Sequence, residues 1–185
     1  ALADQQAELV ALVEGRSEDE LLAPSRCVGW SVADVLLHLA QTNEMAVASV
    51  EGRLAAYIDE VAASIPAGGD IDEWAGGLVD AERGDPAAAL ERYRASAHSQ
   101  VAAFRSVDPA ARVLWVAGDM AARTLATTRL TETWIHTVDA AVAFGPAPAP
   151  TDRLWHTCRL TWRTVPYALT RDGVAAHGDV AFAPT

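Results

Sequence analysis

The fold is decided by a helix start in the stretch GWSVADVLLHLA, which occupies residues 29–40. Ser31 is a residue type that caps helix N-termini, and Asp34, three positions later, completes a variant of the capping box. Apolar or small side chains then recur at helical spacing, at Val35, Leu39, Thr42, Met45, Ala46, Ser49 and Val50. This pattern predicts one long helix from residue 31 to about residue 63.

Further helices are predicted on both sides of this stretch, over residues 2–15, 85–106, 119–144 and 151–169. Gly15 is a stop signal, and Asp85 followed by Pro86 is a start signal. Asp119 is placed to cap the third of these helices, and Pro166 is placed to kink the last. Four long helices with shorter ones between them predict an all-α fold of the four-helix-bundle type.

The connections are predicted to be irregular. Residues 64–84 combine glycines, a proline and acids, which predicts a mobile connection with at most one helical turn around Trp74. Its acids are typical of a solvated loop, although such a loop could also cover the mouth of a bundle as a lid. Residues 113–116 are predicted to form a short extended segment.

The composition narrows the function classes. The 185 residues carry 14 Lys+Arg, all of them arginine, against 25 Asp+Glu, which leaves a formal charge of −11. Such a surface repels phosphate backbones and anionic lipid, so binding to nucleic acid or to a membrane surface is not expected. Alanine, which favours helices over strands, occurs 39 times and agrees with the all-α prediction.

Cysteine use and hydropathy predict a cytoplasmic location. Cys27 and Cys158 are far apart and belong to no CxxC pair, so we expect two small buried apolar residues and no disulfide framework. No secretory signal pattern is present, and no run approaches the roughly 18 apolar residues that span a bilayer. The chain starts without methionine, so we expect that an end has been trimmed.

A second informative stretch, LTETWIHTVD, occupies residues 130–139. Glu132 and His136 are four positions apart and Asp139 is three further, so the three side chains project from one side of a helix. The same helix is apolar on more than one flank, which predicts that this polar side is buried. A buried charge requires a partner, and a divalent metal ion is one such partner.

His38 is a further candidate ligand, because it lies on the inward stripe of the helix that starts at Ser31. Inward His and Glu side chains from different helices are how bundles build metal sites. Two imidazoles and one carboxylate leave coordination positions open, as in a catalytic site. The spacing alone is weak, however, because an acid four residues before a histidine also arises by chance and His38 alone could be an ordinary core residue.

The two stretches together resemble a known family. GWSVADVLLHLA is similar to the signature of the DinB-like superfamily and, more closely, to that of the N-terminal domain of mycothiol-dependent maleylpyruvate isomerases. Residues 129–139 resemble the second signature of that family, E-x-x-x-H followed by Asp, and the segment after Pro150 resembles its closing helix. The resemblance covers about residues 2–172.

The resemblance implies a DinB-like bundle over residues 1–172 that binds a divalent metal, usually Zn²⁺, through His38, Glu132 and His136. The residues do not distinguish Zn²⁺ from Ni²⁺ or Fe²⁺. Fuller members of the family carry a smaller C-terminal domain, so residues 173–185 are expected to be a tail where that domain would begin. The oligomeric state is left open, with a homodimer as one arrangement.

The implied chemistry uses mycothiol as a thiol cosubstrate. An open zinc position can hold a thiol as thiolate, and addition of the thiolate to an activated double bond permits rotation before elimination. A small electrophilic or acidic metabolite would be the substrate of such an isomerase or S-transferase. Two alternatives are a metal-dependent enzyme that does not use mycothiol and a metal-binding protein without turnover, for example a stress or interaction module.

Other residues have expected roles around this site. Asp34 and Asp139 could orient His38 and His136 from behind, although Asp34 could equally be a simple helix cap. Arg123 and Arg129 are candidates for binding the substrate or the thiol, with a solvated surface arginine as the alternative. Four tryptophans are expected to anchor the core, and three histidines are expected to face solvent: Trp30, Trp134, Trp155 and Trp162, and His98, His156 and His177.

Overall fold

The computed structural model describes residues 1–62, 71–171 and 173, and these residues are almost entirely helical. The elements in chain order are α1 (Leu2–Val13), α2 (Glu18–Leu21), α3 (Val32–Val50), α4 (Leu54–Ala62), α5 (Ile71–Glu82), α6 (Pro86–Ser106), β1 (Arg112–Val113), β2 (Met120–Ala121), α7 (Ala122–Ala141) and α8 (Leu154–Arg171). The all-α prediction is therefore confirmed. His177 and all of the predicted tail except residue 173 lie outside the described residues.

Four helices form the bundle. Helix α3 packs against α6 and α7, and α1 packs against the same two helices. Buried aliphatic side chains of α1 and α3, including Leu9, Val35 and Leu39 at 0% exposure, meet Tyr93 of α6 in the core. A second apolar cluster around Leu54, Trp115 and Leu125 joins α4, the β1–β2 loop and α7. The bundle thus places α3 and α7 side by side.

The capping box at the start of α3 forms as the sequence predicts. The Asp34 backbone N–H donates to Ser31 Oγ over 3.2 Å, and Asp34 Oδ2 accepts the Ser31 backbone N–H over 2.8 Å. Two of the unpaired N–H groups that every helix start presents are thereby satisfied. His38 lies about two turns further along the helix that begins here.

The prediction of one helix from residue 31 to about residue 63 is wrong. Helix α3 ends at Val50, and α4 begins at Leu54 after a turn in which Gly52 has φ +72°. Glycine adopts this left-handed conformation without the penalty that a Cβ brings. Apolar spacing continues through the turn, so periodicity alone does not reveal it.

The irregular connection predicted for residues 64–84 is corrected in the part that the structure describes, because residues 71–82 form helix α5. Residues 64–70 of that prediction lie outside the described residues. Glycines inside a helix cost about 1 kcal/mol each, and tertiary packing offsets that cost here. Leu78 and Val79 are buried, and the Gln41 side-chain amide of α3 donates to the Leu78 carbonyl over 3.1 Å and to Glu82 over 2.9 Å. Helix α5 is therefore fastened onto α3.

The start of α7 differs from the prediction as well. Residues 119–121 do not open the helix through an Asp119 cap. Met120 and Ala121 instead pair with Val113 and Arg112 in a short antiparallel ladder, and the helix begins at Ala122 without a side-chain cap. The extended segment predicted at residues 113–116 is thus present only at Val113, within β1.

The tryptophan prediction holds only in part. Trp30 and Trp134 are half-buried, but Trp155 and Trp162 are 61% and 54% exposed on α8. Within the described residues α8 packs mainly on α7, which leaves its outer face in solvent. The most buried tryptophan of the described part is Trp115, at 7% exposure. In the same part of the chain, no helix is long and apolar enough to cross a bilayer.

Candidate metal centre

Three side chains from two helices meet between α3 and α7. His38 comes from α3 and is 9% exposed, while Glu132 and His136 come from successive turns of α7. One ligand atom of each residue lies within 4.8 Å of the other two. The ring centroids of His38 and His136 are 5.0 Å apart, and His136 Nε2 is 3.7 Å from Glu132 Oε2. The sequence predicted this set, and the fold brings its members together.

The buried surroundings keep His38 neutral. Burial, with His136 and Arg129 nearby, lowers the pKa of His38 from 6.5 to about 3. A neutral imidazole has a nitrogen lone pair free to bind a cation, whereas a protonated imidazole does not. The donor set, two imidazoles and one carboxylate, therefore fits a divalent metal, and His38 offers it an unprotonated nitrogen.

The carboxylate of Asp139 lies behind the second imidazole, that of His136. His136 Nδ1 lies 3.1 Å from Asp139 Oδ2, so the carboxylate can accept the Nδ1–H. That tautomer leaves the Nε2 lone pair on the side of Glu132. A carboxylate behind a ligating histidine is the usual way in which proteins orient a metal ligand.

Cys27 also reaches this place, which the sequence did not predict. Its Sγ donates to Asp139 Oδ2 over 3.5 Å and lies 3.8 Å from His136 Nδ1. Burial and the negative charge of Asp139 raise the pKa of Cys27 to about 11, so the thiol stays protonated. The Arg26 backbone N–H donates to the Asp139 carbonyl over 3.0 Å and holds this loop against α7. No local motif marks Cys27, because its partners are more than a hundred residues away.

Asp34 is engaged elsewhere. One carboxylate oxygen accepts the capping hydrogen bonds of Ser31, and the other accepts Arg83 Nε over 2.8 Å. Burial alone would raise the pKa of Asp34, but the bonds from Arg83 and Ser31 outweigh it and lower that pKa. These contacts are the ones expected if Asp34 is a helix cap, which was the alternative to its orienting His38.

The three donors open into a cavity of about 810 Å³, within the range of small-molecule sites. Trp30, Trp74, Trp115 and Met45 form much of its apolar wall. Trp74 belongs to α5, so the segment that the sequence offered as a lid does border the cavity. An apolar wall around a few polar groups excludes water and strengthens the electrostatic interactions inside.

Arg129 lines the same cavity and is 2% exposed, so the solvated alternative is wrong for this residue. Its Nη2 donates to Thr42 Oγ1 over 2.7 Å, while its Nε has no partner. Burial lowers its pKa, and the Glu132 carboxylate partly offsets that effect. Arg123, by contrast, is exposed and lines a different cavity, between α7 and α8.

Comparison with known families and structures agrees with this geometry. The sequence profile described as the mycothiol maleylpyruvate isomerase N-terminal domain matches residues 2–141. The chain belongs to this family. The match includes every residue of the candidate metal centre.

Relatives of this chain occur in Mycobacterium tuberculosis. Two uncharacterized proteins, from two strains, are each 32% identical over 171 residues, which is 90% of this chain. The chain spans 65% of the length of these relatives.

Solved structures support the fold. Crystal structures of the mycothiol-dependent maleylpyruvate isomerase and of a histidine-to-alanine mutant of it superpose with TM-scores of 0.66 and 0.64 at 17% identity. The superposition covers 94% of this chain and 70% of each of those chains. At that identity the likeness establishes a shared DinB-like bundle.

Proposed function

We propose that this chain binds a divalent metal and works as a mycothiol-dependent isomerase or S-transferase acting on a small electrophilic or acidic metabolite. His38, Glu132 and His136 hold the divalent cation in this proposal, with Zn²⁺ as the first candidate and Ni²⁺ or Fe²⁺ as others. The observation that carries the proposal is the convergence of these three donors, from two helices, at the wall of an 810 Å³ cavity. Membership of the mycothiol isomerase family supports the choice of thiol.

A bound divalent cation with an open position supplies Lewis-acid chemistry, which favours the deprotonated form of a thiol near pH 7. The protein's part is to present unprotonated donors. His38 is kept neutral by burial, and the contact between Asp139 and His136 Nδ1 leaves Nε2 free to bind. Both arrangements are built into α3 and α7.

The reaction class needs no net redox change. The thiolate sulfur forms a bond to one carbon of an activated double bond, and the π-electron pair moves onto the activating carbonyl. Rotation about the resulting single bond and loss of the thiolate restore the double bond in the other geometry. The apolar wall around the cavity keeps water away from such an intermediate.

Arg129 is proposed to bind the anionic group of an acidic metabolite. Its guanidinium is buried, the Glu132 carboxylate offsets only part of the cost of burying that charge, and among the described residues the guanidinium forms no ion pair. A buried charge without a counterion is costly, and a ligand carboxylate would supply that counterion. Thr42 holds the guanidinium at the cavity wall.

A thermal-shift titration tests the use of mycothiol. Zinc-loaded protein should gain stability when mycothiol is added, and S-methylated mycothiol should give much less, because it cannot form a thiolate. The same comparison on an Arg129→Met variant should leave the thiol response intact while weakening protection by a dicarboxylate such as succinate.

The outcomes separate the candidate functions. Stabilisation by zinc without any response to mycothiol would favour the two alternatives, a metal enzyme that does not use this thiol or a metal-binding protein without turnover. A cytoplasmic location, where a thiol cofactor stays reduced, belongs to the proposal as well. So does a homodimer, which sedimentation would detect.

A further inference from the structure

A second cavity lies between α7 and α8 and shares no lining residue with the cavity of the candidate metal centre. Its volume is about 450 Å³, which is enough for a small metabolite. The hydroxyl of Thr131 on α7 donates to that of Thr157 on α8 over 3.2 Å, and this bond ties the two walls together. The cavity is thus a defined concavity between two packed helices.

Its lining is basic in a strongly acidic protein. Arg123 of α7 and Arg159, Arg163 and His156 of α8 contribute side chains, and among the described residues no carboxylate lines the cavity. The chain as a whole has a formal charge of −11. A concentration of positive charge on such a background marks a place where an anion is attracted.

None of these three arginines forms an ion pair with a carboxylate in the described part of the chain. Six other arginines do: Arg16, Arg53, Arg83, Arg92, Arg94 and Arg153. Four further arginines of the described part form no ion pair but lie outside this cavity, namely Arg26, Arg105, Arg112 and Arg129. Acids outnumber arginines in the sequence, so unpaired guanidinium groups in one groove are not explained by a shortage of partners.

The arrangement is unfavourable for the folded protein by itself. Arg159 and Arg163 are one helical turn apart on α8, and like charges at that spacing repel each other. Arg159 is also held in place, since the centre of its guanidinium lies 5.6 Å above the ring of Trp155. Unpaired guanidinium forks match the oxygen pairs of phosphates and carboxylates, and that of Arg159 is already positioned by the ring.

We propose that the α7–α8 cavity binds a compact polyvalent anion, a small molecule that carries phosphate or several carboxylate groups. Arg123 contacts it from α7, and Arg159 and Arg163 contact it from α8. The site is separate from the metal centre, and it does not depend on the function proposed for that centre.

Isothermal titration at constant ionic strength tests the site, with inorganic phosphate and tricarballylate as the two probes. A parallel NMR titration with the same probes, which follows the side-chain Nε–H resonances of arginine, reports where the anion binds. We expect saturable binding of at least one probe, with the largest shifts at Arg159 and Arg163. Preference for one probe distinguishes a phosphate ligand from a polycarboxylate ligand.

Two double variants with the same change in net charge provide the control. Arg159→Gln with Arg163→Gln should raise the Kd by roughly tenfold or more, because charge-assisted hydrogen bonds are lost. Arg26→Gln with Arg105→Gln removes two exposed arginines outside the cavity and should change the Kd less than twofold. Equal effects of the two double variants, or the absence of saturable binding by either probe, would overturn the proposal.

Discussion

Helix α7 carries two polar surfaces that differ in burial and in charge. Towards α3 it presents Glu132 and His136 beside the buried His38. Towards α8 it presents Arg123, which faces exposed arginines across the second cavity. The difference teaches that burial selects the chemistry: a buried imidazole stays neutral and can bind a cation, whereas exposed guanidinium groups stay charged and can attract an anion.

The largest expected effect is loss of the metal from the buried surface, with the exposed surface left unchanged. His136→Ala removes one of three proposed ligands, so stoichiometric metal should fall to near zero in elemental analysis of purified protein. His98→Ala is the matched control, because His98 is exposed on α6 and should leave metal content unchanged. Full metal occupancy in the His136 variant would contradict the proposed centre.

Removing the Asp139 carboxylate behind His136 should weaken metal binding at the α3-facing surface without abolishing it. Asp139→Asn cannot hold the Nδ1 proton as strongly, and loss of such a partner lowers metal affinity by about 10–100-fold. Competition with a zinc chelator measures this change. Asp119→Asn serves as control, and an unchanged zinc Kd in the Asp139 variant would show that the contact between Asp139 and His136 does not orient the ligand.

Removing the N-terminal cap of α3, the helix that carries His38, should have a smaller effect, and that effect should be a lower stability of the folded protein. Asp34→Ala removes the capping box and the Arg83 ion pair, so the free energy of unfolding should fall by about 1–2 kcal/mol in a denaturant titration. Because the pKa of Asp34 is lowered on folding, its contribution is present above its usual value of 3.8 and is lost as the pH falls below it. The variant should therefore lose less stability than the parent between pH 5 and pH 3, and parallel pH profiles would refute this.

The smallest effect concerns the exposed surface. Arg163→Gln should raise stability by about 0.2–0.5 kcal/mol, because it relieves repulsion from Arg159 one turn away. Arg94→Gln breaks ion pairs with Glu14 and Glu91 instead and should lower stability slightly. Low salt enlarges both effects, and a loss of stability in the Arg163 variant would show that this arginine has a structural partner.

The sequence predicted the elements whose signals are local. The Ser31–Asp34 capping box, the Asp85–Pro86 helix start and the turn spacing of Glu132 and His136 are each read within a few residues, and each is present. The family resemblance added which helices would meet.

Three features could not be read locally. The break at Gly52 interrupts a pattern that stays apolar on both sides, and helix α5 exists because Leu78 and Val79 pack on α3. Cys27 reaches His136 only because the loop before α3 is held against α7. In each case the deciding contact joins residues that are distant in sequence or depends on a backbone angle.

By itself, then, the sequence determined the fold class. It also placed His38 on the inward side of one helix and Glu132 and His136 on one side of another, because helical geometry ties side-chain direction to spacing. The tertiary structure decided which polar groups are buried. Burial makes His38 neutral and leaves Arg129 without water, while the edge position of α8 keeps Arg159 and Arg163 in solvent. Desolvation depends on the whole packed bundle, and no stretch of sequence specifies it alone.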